Sequence, residues 1–179
     1  LVSQAADRLR SKDGAKARTW LHERGLTLDA IVHAGLGLVD VDVRLSTGIE
    51  RESGEEQEVW VPRGITIPWM NAQGEIELLN VRRATGAPKY IAVTGSRRGG
   101  LFPSAEVIKA GRPVVICEGE LDAILLGATL AERVPVVTLG AASSDPANWA
   151  LAKLISASSW LVAVDADEAG QRLADRWAA

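Results

Sequence analysis

Cysteine, histidine, methionine, tyrosine and phenylalanine are all scarce: the 179 residues include one Cys, one Met, one Tyr, one Phe and two His. A single thiol, Cys117, excludes an internal disulfide, and with only His22 and His33 beside it there is no ligand set for a zinc finger or ribbon. A reducing, cytoplasmic setting is the expectation. Long apolar runs are missing too. Stretches such as residues 123–126 and 160–164 fall far short of the roughly 20 residues needed to cross a bilayer, and the polar, charged start does not read as a signal peptide. No membrane partner is therefore expected. Internal repeats and low-complexity tracts are absent as well.

What is present is an ordinary globular composition, 47% apolar and 24% charged, which excludes whole-chain disorder. The length suffices to bury a sizeable core without disulfides or a structural metal. The formal charge of −3 argues against a general basic coat for nucleic acid, but its distribution is uneven. Residues 1–58 carry 8 basic and 11 acidic side chains, residues 59–112 carry 8 and 3, and residues 113–179 carry 4 and 9. A basic middle adjoins an acidic end.

Good helix formers with apolar positions at Leu9, Ala17, Trp20 and Leu21 predict a helix over residues 2–24 that stops at Gly25. Thr27 stands where it can cap a second short helix with Leu28, Ile31 and Val32 on one face, and residues 36–43 read as a strand. Residues 46–58 are polar, acidic and glycine-containing, which predicts an exposed loop and a subdomain boundary. Period-two patterning from Val59 through Ile65 and Ile67 to Ile76 and Leu78 predicts a small antiparallel sheet, with turns at 71–74 and 85–88 and a last strand over 90–93. Residues 95–100, glycine-rich and doubly basic, read as an exposed, mobile loop. After Gly111, apolar strands at 114–117, 136–139 and 161–164 alternate with helices at 121–132, 146–155 and 169–178, the pattern of a parallel sheet flanked by helices. The expected fold class is α/β, with a helical part over 1–58 and a basic antiparallel-sheet subdomain over 59–111, together a small mixed α+β region, followed by the parallel-sheet subdomain over 112–179.

In parallel sheets, ligands bind outside the carboxyl ends of the strands, and two acidic clusters fall there. Glu118 follows the 114–117 strand, with Asp122 one helical turn on; Asp165 and Asp167 follow the 161–164 strand. If the two strands are neighbours, Glu118, Asp165 and Asp167 converge on one small volume, where three carboxylates repel unless a cation or proton compensates. All-oxygen ligation with no His or Cys nearby points to magnesium or manganese rather than zinc. Each cluster alone reads as a helix cap; the pair, ordered E-G-x-x-D and then D-x-D-x-x-G, favours a metal site. Ser143 and Ser144 read as loop and cap residues, and Cys117 as an inert buried thiol. Trp20, Trp149 and Trp177 read as helix core residues, while Trp60 and Trp69 flank strands.

The stretches ICEGELDAILL and AVDADEAG resemble the TOPRIM signature, the metal-binding fold shared by DnaG-type primases, topoisomerases and some nucleases. Between Arg63 and Phe102, RGITIPW, NVRRATGAPKYI and SRRGGLF are similar to the basic subdomain of the primase catalytic core, and WLHERGLTLDAIVHAGLGLVD to its helical start. The resemblance spans about residues 18–179, and the Pro-Lys-Tyr context is what selects primase within the superfamily. It implies a TOPRIM-type parallel sheet over 112–179, with Glu118 as the catalytic glutamate, Asp165 and Asp167 as metal-binding aspartates and Asp122 as a supporting carboxylate. It further implies that Arg82, Arg83, Lys89, Tyr90, Arg97 and Arg98 serve template phosphates or nucleoside triphosphates. The cofactor implied is Mg2+ or Mn2+. The partners implied are a single-stranded DNA template, nucleoside triphosphates and a replicative helicase reached through domains this chain does not contain. Strand alternation puts Arg82 and Arg83 on opposite faces, so one of them faces the site. Arg97 and Arg98 read equally well as charges that solubilise a loop.

The chain also departs from the family pattern. It lacks the Cys and His of a zinc module and a helicase-binding region, and the further acidic motif that usually follows the D-x-D helix would be cut off or missing here. A truncated TOPRIM part, in a fragment or a minimal core, is the reading these departures give. The expected function is template-directed synthesis of RNA primers by a monomer. Two alternatives stay open: a TOPRIM nuclease using the same carboxylates, and a non-catalytic nucleic-acid or nucleotide-binding module in which they only cap helices. A topoisomerase is disfavoured because the one tyrosine, Tyr90, lies in the basic element.

Overall fold

Two runs of good helix formers open the chain as α1 (Val2–Arg10) and α2 (Ala15–Glu23). The single helix expected through residue 24 is interrupted by a 3-10 turn, Lys12–Gly14, whose start is fixed by the Ser11 hydroxyl accepting from the Asp13 N–H. Gly14 is the reason: it packs directly on the Leu9 carbonyl, where a Cβ would collide with backbone. α3 (Leu28–His33) begins as expected, with Thr27 Oγ1 accepting from the Ala30 N–H at 3.2 Å. Its buried face is narrower than the spacing predicted. Ala30 and Ile31 are buried, whereas Leu28 and Val32 stay exposed. The computed structural model describes residues 1–50, 56–97, 99–131, 133–140 and 144–178.

Six strands follow: β1 (Gly37–Val39), β2 (Val43–Glu50), β3 (Glu56–Val61), β4 (Gly64–Met70), β5 (Ile76–Arg82) and β6 (Tyr90–Ala92). Four of them form a sheet in the order β1-β4-β5-β6, with β1 antiparallel to β4 and β5 antiparallel to β6. Of the loop expected over 46–58, residues 46–50 and 56–58 are instead strand, and 51–55 lie outside the described residues. β2 and β3 pair antiparallel as a separate two-stranded sheet, with Val43 opposite Val61 and Leu45 opposite Val59. Val59 and Val61 therefore belong to this ribbon rather than to the sheet of β4. The physical reason is a period of two hidden beneath an acidic composition. Val43, Leu45, Val59 and Val61 pack with Ala5, Val39, Leu79, Val81 and Val93, while Arg44, Glu56 and Glu58 are exposed. The ion pair between Arg8 and Asp40 adds a polar tie from α1 to the residue after β1.

The chain divides into two compact units, one of Leu1–Pro68 with Leu78–Ser96 and the other of Trp69–Glu77 with Arg97–Ala179; the division passes through β4 and β5. The second unit carries the alternating part: β7 (Val114–Cys117), α4 (Glu120–Thr129), β8 (Val136–Thr138), α5 (Asn148–Ile155), β9 (Trp160–Ala163) and α6 (Glu168–Ala178). Its three strands are parallel, as the sequence predicts, in the order β8-β7-β9. Val114 and Ile116 of β7, Val137 of β8 and Ala150 and Leu154 of α5 meet in one core cluster with Leu101 and Ile108. Leu121, Ala123 and Ile124 of α4 are buried as well. Trp177 packs at the cluster's margin, edge-on to Trp160 with ring centroids 5.3 Å apart. Trp149 does not join the core. It is 46% exposed, because α5 buries the i, i+4 pair Ala150 and Leu154 and leaves its neighbour outside. Among the described residues no helix is long and apolar enough to cross a membrane.

Candidate active site

Parallel pairing brings the carboxyl ends of β7 and β9 level, with Cys117 opposite Ala163. Glu118 thus leaves the sheet beside Val164, one residue before Asp165. Glu118 is half-buried, and its Oε2 is buried with no hydrogen-bond partner among the described residues. Its backbone is better served. The Thr138 hydroxyl at the end of β8 donates to the Glu118 carbonyl at 2.9 Å and accepts from the Gly140 N–H at 2.9 Å. The next carbonyl, that of Gly119, accepts the Ala123 N–H at 3.0 Å and so starts α4.

Two further carboxylates stand in the first turn of α4. Asp122 is exposed and turns back toward Gly119, its Oδ2 3.0 Å from where a Cβ on that glycine would lie. Glu120 was passed over in the sequence, yet it is 1% exposed and its carboxylate lies against Gly140. A charged residue inside a strand-exit motif gives no sequence signal of burial.

Cys117, 2% exposed, is the inert thiol expected. Burial, reinforced by the Asp122 and Glu120 charges, pushes it from an ordinary 9.0 up to about 12. Because the folded value lies above the unfolded one, this contribution to stability is whole below about pH 9 and is lost as pH rises toward 12. At pH 8 the folded chain should react with a disulfide reagent at least about a hundredfold more slowly than the urea-unfolded chain. Equal rates would contradict the burial.

Asp165 and Asp167 are exposed. Asp167 Oδ1 accepts from the Gly170 N–H at 2.8 Å, and its carbonyl accepts from Gln171 at 3.0 Å, so Asp167 caps α6. Gly170 lies so close to the Asp165 carbonyl that any Cβ there would strike backbone. Gly170→Ala should therefore displace the 165–167 turn, lowering stability by about 1–3 kcal/mol and moving the amide signals of that turn in an NMR spectrum. An unchanged spectrum would refute the close packing.

Glu118 and Asp165 leave neighbouring strand exits, and the Asp167 carboxylate is engaged at the start of α6. Among the described residues no three His, Cys, Asp or Glu side chains form a group that could hold a metal ion. The sheet order brings the strand ends together, but the Asp167 carboxylate is turned onto its own helix. The donor chemistry still fits a hard divalent cation at Glu118. A buried carboxylate oxygen without a partner is costly unless a cation or proton meets it, and every candidate donor here is oxygen.

The basic candidates in the first unit fall into two settings. Two guanidinium groups lie over the Trp20 ring, Arg24 at 4.4 Å and Arg82 at 4.0 Å from its centroid, and Arg82 also faces the Tyr90 ring at 5.9 Å. Trp20 is thus a stacking residue rather than a core one. Arg83 goes elsewhere, as strand alternation predicts: with Arg63, Asp40, Asp42 and Thr85 it lines a surface pocket of about 380 Å³. Arg63, not singled out beforehand, stands in the quoted RGITIPW stretch. Lys89 is exposed, and its carbonyl accepts the Arg83 N–H at 2.7 Å.

In the second unit Arg97 is exposed and lowers the Glu77 carboxyl, which burial raises above its usual range by a larger amount. The glycine-rich segment is tied by backbone bonds, Arg97 N–H to Glu77 at 2.7 Å and Gly99 carbonyl to Ala147 at 2.8 Å. Arg98 and Ser143 lie outside the described residues; Ser144 is half-buried.

Residues 115–179 match a family model described as Toprim-like. No curated protein sequence matches the chain. Among solved structures, the chain is similar to a DnaG catalytic core, with a TM-score of 0.73 and 18% identity over 98% of this chain and 63% of that one. It is also similar to a DnaG primase catalytic domain bound to single-stranded DNA, with a TM-score of 0.69 and 16% identity over 98% and 64%. A DNA primase domain from Pseudomonas aeruginosa gives 0.70 and 22% over 98% and 63%. The chain therefore spans less than two thirds of the length of these structures. Residues 115–179 thus match the Toprim-like model, and across nearly its whole length the chain has a fold similar to that of the DnaG catalytic core.

Proposed function

We propose that this chain is the catalytic core of a DNA primase, a nucleotidyltransferase that makes short RNA primers on single-stranded DNA in the cytoplasm. The observation that carries the reading is the extent of the likeness: it covers 98% of the chain, the basic elements as well as the Toprim-like part. A relative of the same fold has single-stranded DNA bound, which supports that template class.

Glu118, with Asp165 and Asp167 from the neighbouring strand exit and Asp122 in support, would hold Mg2+ or Mn2+. When bound, such a cation supplies charge neutralisation at a nucleotide α-phosphate and at the departing pyrophosphate, and favours loss of the ribose 3′-hydroxyl proton. The protein's own part is positioning and electrostatics, for which no side-chain nucleophile is needed. Arg83, Lys89, Arg97 and Arg98 would serve phosphates of the template or of nucleoside triphosphates. Arg82 serves them at one remove, since its guanidinium is stacked on Trp20 and its Nε is buried. A replicative helicase, engaged through other domains, is the further partner this reading implies.

One observation favours a second reading. The Asp167 cap on α6 is what a binding module with purely structural carboxylates would contain. Homopolymer templates separate the readings. With manganese, a primase incorporates labelled ATP on oligo(dT) and labelled UTP on oligo(dA), a nuclease shortens either template, and a binding module retards both without changing them.

A further inference from the structure

We propose that Thr138 is a positioning residue for Glu118, an inference that rests on the metal-dependent reading above. Thr138 is fully buried at the end of β8, and its hydroxyl is used in both directions, donating to the Glu118 carbonyl and accepting from the Gly140 N–H. The hydroxyl cannot shift without moving the strand. The Thr138 N–H donates to the Phe102 carbonyl at 3.0 Å, its carbonyl accepts the Phe102 N–H at 2.9 Å, and its Cα is in register with Cys117.

The Glu118 carboxylate, by contrast, has an Oε2 with no hydrogen bond from any described residue to orient it. Its direction is set from the backbone. Thr138 holds the peptide on one side of the Glu118–Gly119 exit, and the first turn of α4 holds the Gly119 carbonyl on the other. A group that fixes a ligand's backbone acts on metal affinity without touching the metal. Valine has nearly the same shape as threonine, so Thr138→Val removes the hydroxyl alone and leaves the Glu118 carbonyl and the Gly140 N–H without their partner. Serine keeps the hydroxyl.

The test titrates Mn2+ alone into the chain, following free Mn2+ by electron paramagnetic resonance, with thermal midpoints measured in parallel. Glu118→Gln should remove the site. Thr138→Val should weaken it about 10- to 100-fold, and Thr138→Ser should stay within about threefold of wild type. Val137→Ala, a cavity in the neighbouring core position of β8, supplies the structural control. It should lower the midpoint by several degrees, as Thr138→Val does, yet keep Mn2+ affinity within about threefold. Wild-type affinity in Thr138→Val, or an equal loss in Val137→Ala, would overturn the inference while leaving Glu118 a ligand. Wild-type affinity in Glu118→Gln would overturn it together with the reading it rests on.

Discussion

Glu118→Gln should lower primer synthesis by about three orders of magnitude or more while leaving the thermal midpoint unchanged or higher. The two effects have one cause. Oε2 of Glu118 is buried and has no hydrogen-bond partner among the described residues, an arrangement that is costly for a charged oxygen. Glutamine keeps the shape and lowers that cost by removing the charge, but it gives up the anionic carboxylate that a hard divalent cation favours. A Glu118→Gln variant that unfolds would mark the residue as structural; one that retains synthesis would remove it from the reaction.

Asp167 carries the second large effect, and two substitutions separate its roles. Asparagine preserves an oxygen able to accept from the Gly170 N–H, so Asp167→Asn should keep the α6 cap and change stability by less than about 1 kcal/mol. If Asp167 also ligates a catalytic ion, synthesis should still fall by about two to three orders of magnitude. Asp167→Ala loses the cap as well, adding about 1 kcal/mol of destabilisation and lowering the midpoint by about 2–4 °C. Urea titrations of the two variants, read beside their primer yields, give both numbers. Full synthesis in Asp167→Asn with a lowered midpoint in Asp167→Ala would assign the residue to capping alone.

Much of the second unit was legible because its strands are short and, Thr138 aside, apolar. Val114–Cys117 and Trp160–Ala163 fall within a residue of where the pattern put them, and their adjacency brought Glu118 and Asp165 to neighbouring exits. The ribbon of β2 and β3 was not legible, since its outward residues dominate the composition and mask Val43, Leu45, Val59 and Val61 beneath them. Ser11, Asp13 and Gly14 are weak helix formers that signal the break at residues 11–14, but the close packing of Gly14 on Leu9 is a tertiary fact that no propensity encodes. At the site, spacing located the carboxylates but not their aim. It could not distinguish an Asp167 facing a cation from one folded onto Gly170, nor anticipate that Glu120 is buried while Asp122 is exposed. The tryptophans divide the same way: Trp177 packs as expected, and Trp20 is claimed by two arginines.

The most direct measurement incubates the chain with single-stranded DNA, labelled ribonucleoside triphosphates and Mg2+ or Mn2+, and resolves the products by length beside a Glu118→Gln control. Short oligoribonucleotides complementary to the template, formed by the wild type and absent with Glu118→Gln, are the predicted result. Intact template with no labelled product from a folded wild type, or equal product from both proteins, would contradict it.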